Sequence, residues 1–198
     1  MAYRGGRAGR PRREAGFTLI ELMVTIAVLA ITLALAVPGF TGLINAGRLV
    51  AESNELVASL QLARSEAIRR NAGVALCASS DGSTCSEASS GDWSYWVVRV
   101  VSDTSDSGLL RVYRVNPRLL VQSSAAISGN TTYPNTVVFS SDGLARAYGG
   151  ALLAASIGVC VDTARPEQNQ RRVSIAGGSR IKTVSETNTD CGEEIADE

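Results

Sequence analysis

The sequence predicts an α+β protein, one long N-terminal helix followed by a domain of short antiparallel strands. Three observations predict it. Between Glu21 and Arg48 run 26 residues without a charge, far longer than any ordinary strand. Leu49, Leu56, Leu60, Ala63 and Ala67 then recur at helical spacing, with Ser53 filling the gap in the stripe. After Asn71 the period changes to two, and turn residues punctuate the chain every few positions. A length of 198 residues suits one modest domain plus the N-terminal segment.

The helix is expected over 17–71. Its first part, 17–40, is apolar enough to cross a bilayer core of ~30 Å at ~1.5 Å per residue. Arg4, Arg7, Arg10, Arg12 and Arg13 precede it, so the positive end stays cytoplasmic and the residues after about Pro38 lie outside the inner membrane. Its second part, 41–71, is amphipathic. Glu52, Glu55, Arg64, Glu66, Arg69 and Arg70 are expected on faces other than the apolar stripe. Pro38, Gly39, Gly42 and Gly47 interrupt the pattern and predict a hinge between the halves, since proline removes a helical hydrogen bond and glycine weakens a helix. The competing expectation is a helix that ends at Val37. Asn71-Ala72-Gly73 reads as the exit.

Strands are expected at 74–78, 93–102, 109–115, 118–122, 136–140, 156–161, 172–175 and 180–184. Turn signals such as Ser80-Asp81-Gly82, Asp106-Ser107-Gly108 and Asp142-Gly143 separate them. From Glu186 onward the chain is polar and acidic, and is expected to be mobile apart from Cys191. The domain organisation is therefore a leader, 1–16, the helix, 17–71, and a β-rich domain, 72–198.

Charge and cysteine content narrow the function. The chain holds 19 basic and 19 acidic residues. A cut after Gly16 would leave 14 basic and 18 acidic residues, a mildly acidic product that argues against non-specific DNA binding over its whole surface. Cys77, Cys85, Cys160 and Cys191 are an even set in a domain facing an oxidising compartment. Of the three connectivities, Cys77–Cys85 within one hairpin region and Cys160–Cys191 at the C-terminal segment are expected. No histidine and no C-x-x-C pair support a metal site. Without histidine, a G-x-S-x-G elbow or a phosphate loop, no catalytic residues, metal or cofactors are expected. Trp93 and Trp96 read as core or cross-strand packing rather than a binding platform.

Glu21 decides among readings of the N-terminus. An ionised group costs ~2.5–3.5 kcal/mol at the membrane centre, less near the edge, and an intramembrane carboxylate needs a partner. A secretory signal cut near Ala34-Leu35-Ala36 would hold Glu21 inside its apolar core. A twin-arginine signal at Arg12-Arg13 or a plain anchor leaves it unexplained.

Gly16-Phe17-Thr18-Leu19-Ile20-Glu21-Leu22-Met23 resembles the leader junction of type IV pilins and type II secretion pseudopilins. The resemblance implies cleavage after Gly16 by the prepilin peptidase and methylation of the new terminus, Phe17. It also implies that Glu21 meets the Phe17 ammonium of a neighbouring subunit, and that other major and minor pilins are partners. Leu62-Ala63-Arg64-Ser65-Glu66-Ala67-Ile68-Arg69-Arg70-Asn71 is similar to a signature of the GspH/FimT family, and Leu76-Cys77 through Trp96-Val97-Val98 is similar to its strand region, with Tyr95 where the family usually has glycine. The expectation is then a pilin fold and a minor pilin at or near the tip of a type IV pilus. The alternatives are a type II secretion pseudopilin and a DNA-uptake pilin. For the last, Gly178-Ser179-Arg180-Ile181-Lys182 resembles a basic DNA-binding motif of the family, with serine in place of a glycine; Arg171 and Arg172 could join Arg180 and Lys182 in one patch. Against it, Arg180 and Lys182 suit the charged face of a protected edge strand.

Overall fold

The computed structural model describes residues 16–86, 93–102, 108–131, 133–147, 150–192 and 195–197; the side chains of 35–39 are not among them. The leader residues before Gly16 and the turn at Asp106-Ser107 lie outside the described residues. The chain divides into two compact units, Met1–Phe40 and Thr41–Glu198. Helix α1 (Leu19–Arg70) is continuous in its backbone, so it does not end at Val37. Among the described residues no helix is long and apolar enough to cross a membrane, so the expected span over 17–40, which takes in the side chains of 35–39, is not shown.

Helix α1 ends as its sequence predicts. Asn71 adopts φ 51°, the left-handed conformation that asparagine tolerates. The Ala72 N–H then donates to the Ala67 carbonyl at 3.2 Å and the Asn71 N–H to the Ile68 carbonyl at 3.3 Å, a Schellman closure of the last turn. Glu66 holds Arg69 at 2.5 Å and Arg70 at 2.7 Å on the outer face of that turn. These bonds, Arg69's first, depress its carboxyl to about 2.

Among the described residues eight strands follow: β1 (Val74–Ser79), β2 (Tyr95–Val100), β3 (Leu109–Arg114), β4 (Leu120–Ser123), β5 (Thr136–Phe139), β6 (Ala155–Cys160), β7 (Gln170–Ala176) and β8 (Arg180–Glu186). All eight expected strands are present, with no end shifted by more than two residues. A four-residue helix, α2 (Ala125–Ser128), was not expected; its Ala-Ala-Ile-Ser sequence is too short to show a period. The strands form two antiparallel four-stranded sheets, ordered β3-β2-β1-β5 and β4-β6-β7-β8. The chain leaves the first sheet through the short β3–β4 connection and returns to it through β5 before building the rest of the second.

The stripe of α1 enters this core. Leu49, Leu56, Leu60, Ala63 and Ala67 are fully buried, and so are Val74, Leu76, Trp96, Val98 and Phe139 from the first sheet and Ile157, Val159, Val173 and Ile175 from the second. Trp96 donates from Nε1 to Ser59 Oγ at 3.0 Å and stacks on Tyr113 with ring centroids 4.5 Å apart, which fixes β2 against the helix.

Strand β1 is buried on both faces. Val74, Leu76 and Ala78 share the helix side with Trp96 by register, while Cys77 faces away. The following loop folds over that far side. Cys77 bonds Cys85, the Ser86 N–H donates to the Ala78 carbonyl at 2.8 Å, and Arg99 Nη1 donates to the Ser83 carbonyl at 3.2 Å. Asp81 knits the loop by accepting from the N–H groups of Ser83 and Thr84 at 2.8 and 2.9 Å and from three hydroxyls. Those bonds hold its carboxyl far below the usual range.

The segment after β8 is docked rather than mobile. Asn188 and Asn169 exchange hydrogen bonds at 2.8 and 2.9 Å, and Cys191 bonds Cys160. Ile195 is only 7% exposed and sits over Gly158. An added Cβ at Gly158 would lie 2.2 Å from Ile195 Cδ1, so the absent side chain makes the seat. Asp197 Oδ1 accepts the Ala126 N–H at 3.2 Å. The acidic composition concealed this because its one large apolar residue lies among masking charges.

Candidate functional site

The candidate junction lies at the start of α1. Gly16, Phe17 and Thr18 are not helical, and the helix begins at Leu19. Thr18 is its N-cap: Oγ1 accepts the Glu21 N–H at 3.2 Å, and the Thr18 carbonyl accepts the Leu22 N–H at 3.1 Å. Thr18-x-x-Glu21 has the spacing of a capping box. Glu21 therefore lies in the first turn, where the helix dipole favours a carboxylate. Its side chain is exposed, as are Gly16 and Phe17, the latter at 83%. The scissile bond expected between Gly16 and Phe17 thus sits outside the helical hydrogen-bond ladder, two residues before the cap.

From Leu19 to Leu33 the helix presents exposed apolar side chains on every face. Its hydroxyls are satisfied internally: Thr25 donates to the Leu22 carbonyl at 2.8 Å, and Thr32 to the Leu29 carbonyl at 2.8 Å. A helix that hides its own polar groups and shows apolar surface all round is built to be covered by something other than water.

A second set of residues joins the spine to the first sheet. Glu52 was expected on an outer face, yet it is 3% exposed. Its two oxygens accept from the Tyr113 hydroxyl at 3.2 Å and the Asn116 N–H at 3.3 Å. Glu55, one turn on, pairs with Arg111 of β3. Burial, partly offset by those two hydrogen bonds, raises the Glu52 carboxyl, and burial with the Glu52 charge pushes Tyr113 up to about 12. The signal was spacing: Glu52 lies three residues after Leu49 and four before Leu56, inside the stripe.

The four basic residues proposed as one patch are divided by the sheet. Arg172 shares a face with Arg180 and Lys182 by register, but it donates to Glu186 at 2.9 and 2.6 Å. Arg171 points to the opposite face, beside Val159, with its Nε buried and without a partner. Arg180 and Lys182 are exposed on β8, the edge of the second sheet. Among the described residues no group of three or more histidines, cysteines or acids could hold a metal.

Residues 52–179 match the family model described as Type II transport protein GspH. The chain belongs to the GspH family. The match runs from the spine's buried glutamate to the β7–β8 turn and covers more than half of the protein. Residues 11–37 match the prokaryotic N-terminal methylation motif, which brackets Gly16, Phe17 and Glu21. The fold agrees. A crystal structure of the type IV minor pilin FimU of Pseudomonas aeruginosa is similar with TM-score 0.50 and 20% identity, over 73% of this chain and 96% of that chain. A second crystal form of FimU gives TM-score 0.49 and 20% identity, over 72% and 99%. The minor pseudopilin EpsH from the Type 2 Secretion System of Vibrio cholerae gives TM-score 0.47 and 12% identity, over 70% and 97%. No curated protein matches the chain. The fold of this GspH-family chain is thus that of the pilins, a helical spine carrying an antiparallel β-domain.

Proposed function

We propose that the chain is a minor pilin of a type IV pilus. The prepilin peptidase cuts it after Gly16, Phe17 is methylated, and the helix holds it in the inner membrane with the β-domain outside. It then enters the filament at or near the tip and acts as a structural subunit rather than an enzyme. The observation that carries this reading is the methylation motif over 11–37 on a helix whose apolar side chains are exposed around its circumference. In the filament that surface is covered by neighbouring spines, and Glu21 meets the Phe17 ammonium of an adjacent subunit. Two charges that each cost free energy in an apolar bundle are paired there.

A second reading, a type II secretion pseudopilin, is favoured by the description of the matched family. The spine chemistry is the same in both. Deleting the gene separates them: loss of surface pili with secretion intact supports the pilus, and accumulation of secreted enzymes in the periplasm supports the pseudopilus. Mass spectrometry of the mature protein tests the shared premise. A methylated Phe17 terminus is expected, and a terminus at Val37 or an uncut chain would overturn it.

A further inference from the structure

A cavity of about 620 Å³ opens where the two sheets meet, between the start of β2, the end of β3, the β3–β4 connection and β4. No acidic residue lines it. Among the described residues, four of its lining side chains carry donors with no hydrogen-bond acceptor, namely the Trp93 indole N–H, the Tyr95 hydroxyl, the Arg114 guanidinium and the Ser80 hydroxyl. Trp93 is 6% exposed, and a tryptophan so enclosed ordinarily finds an acceptor for its N–H. The contrast with Trp96 of β2, bonded to Ser59 of the helix, marks Trp93, just before that strand, as a donor left for something else. Leu120, 49% exposed, supplies an apolar rim.

The wall is held in place before anything binds. Asn116, on the β3–β4 connection, lines the cavity, and its N–H is fixed by the buried Glu52 carboxylate. Tyr95 and Arg114 stand opposite each other in the β2–β3 register. Strand β4 is an edge of its sheet, so alternate backbone groups of Leu120–Ser123 face away from β6, as an added strand requires.

We propose that this cavity binds an extended acidic peptide of a partner protein. A carboxylate takes the Arg114 guanidinium and the Trp93 N–H, and an adjoining apolar side chain lies against Leu120. The lining holds the Arg114 guanidinium and no carboxylate, which favours an anion over a cation, and the apolar rim with an open strand edge distinguishes a peptide from a free inorganic anion. The inference rests on the β-domain alone and stands whether the chain serves a pilus or a pseudopilus.

The chain contains two tryptophans, so ¹⁵N-indole labelling of the full-length protein in detergent micelles gives one reporter in the cavity and one in the core. The probe is acetyl-Leu-Asp-Leu-Glu-Leu-amide, with acetyl-Leu-Asn-Leu-Gln-Leu-amide as the neutral control. The acidic peptide is expected to shift the Trp93 indole resonance saturably and to leave Trp96 in place. Arg114→Gln should weaken it at least tenfold while the Trp96 resonance and the melting midpoint hold, because Arg114 is exposed and bonds to none of the described residues. Absence of a Trp93 shift at millimolar peptide, an equal shift with the neutral peptide, or an unaltered affinity in the variant would overturn the proposal.

Discussion

Glu52 takes a carboxylate into a helix–sheet contact with two hydrogen bonds and no ion-pair partner among the described residues. Buried carboxylates are rarely tolerated without a cation, and truncating one leaves its donors unmet. Glu52→Ala is expected to destabilise by about 1–3 kcal/mol, since Tyr113 and Asn116 lose their acceptor. Glu52→Gln keeps an acceptor and removes the charge, so it should melt at or above the wild-type temperature at pH 8. Glu52 and Glu66 of the spine contribute to stability with opposite pH dependence. Glu52 is raised by burial, so its contribution is fullest below 4.5 and fades as pH rises through its shifted value. Glu66 is lowered to about 2, so its contribution is present above 4.5 and fades as pH falls toward 2. Melting curves from pH 2 to 8 should therefore flatten on the acid side in Glu66→Gln and on the neutral side in Glu52→Gln. Glu21→Ala should leave cleavage after Gly16 intact and abolish filament incorporation, read by the ratio of processed chain in sheared filaments to that in membranes; unchanged incorporation removes the pairing role.

At the scale of elements, sequence period did most of what it could. The α1 stripe, its Asn71 exit and eight strands were legible because each repeats a local rule: 3–4 spacing, a left-handed cap, alternation between turns. What stayed hidden is non-local. Glu52 and Ser59 occupy stripe positions, and only β2 and β3 reveal that they are buried. The split of the strands into two sheets depends on pairing across the chain, as does the separation of Arg171 from Arg172, Arg180 and Lys182, which adjacent numbering cannot foretell once β7 pleats. The docked segment after β8 belongs here too. Gly158→Ala places a methyl on Ile195, and overpacking of this kind costs about 1–3 kcal/mol. Hydrogen exchange should show β6 and β7 losing protection while the first sheet keeps its own. Protection unchanged in both sheets would mean that Ile195 does not seal that face.

For the whole molecule, the division at Phe40 predicts that the second unit carries its own stability. Among the described residues its core holds none before Leu49, so a fragment beginning at Thr41 should unfold cooperatively, with a melting midpoint within a few degrees of the full chain in detergent. A non-cooperative melt would show that the first unit is needed. The paired cysteines have a consequence for how such a chain is made. Cys77 bonds Cys85 and Cys160 bonds Cys191, so each cysteine joins the next one along the chain and the two loops do not interlock. A β-domain that enters an oxidising compartment from its helix-proximal end exposes a complete correct pair before the third cysteine arrives. Oxidation in order of emergence then gives the native connectivity without thiol exchange to undo a wrong one, so disulfide formation in the β-domain calls for an oxidant rather than a disulfide isomerase.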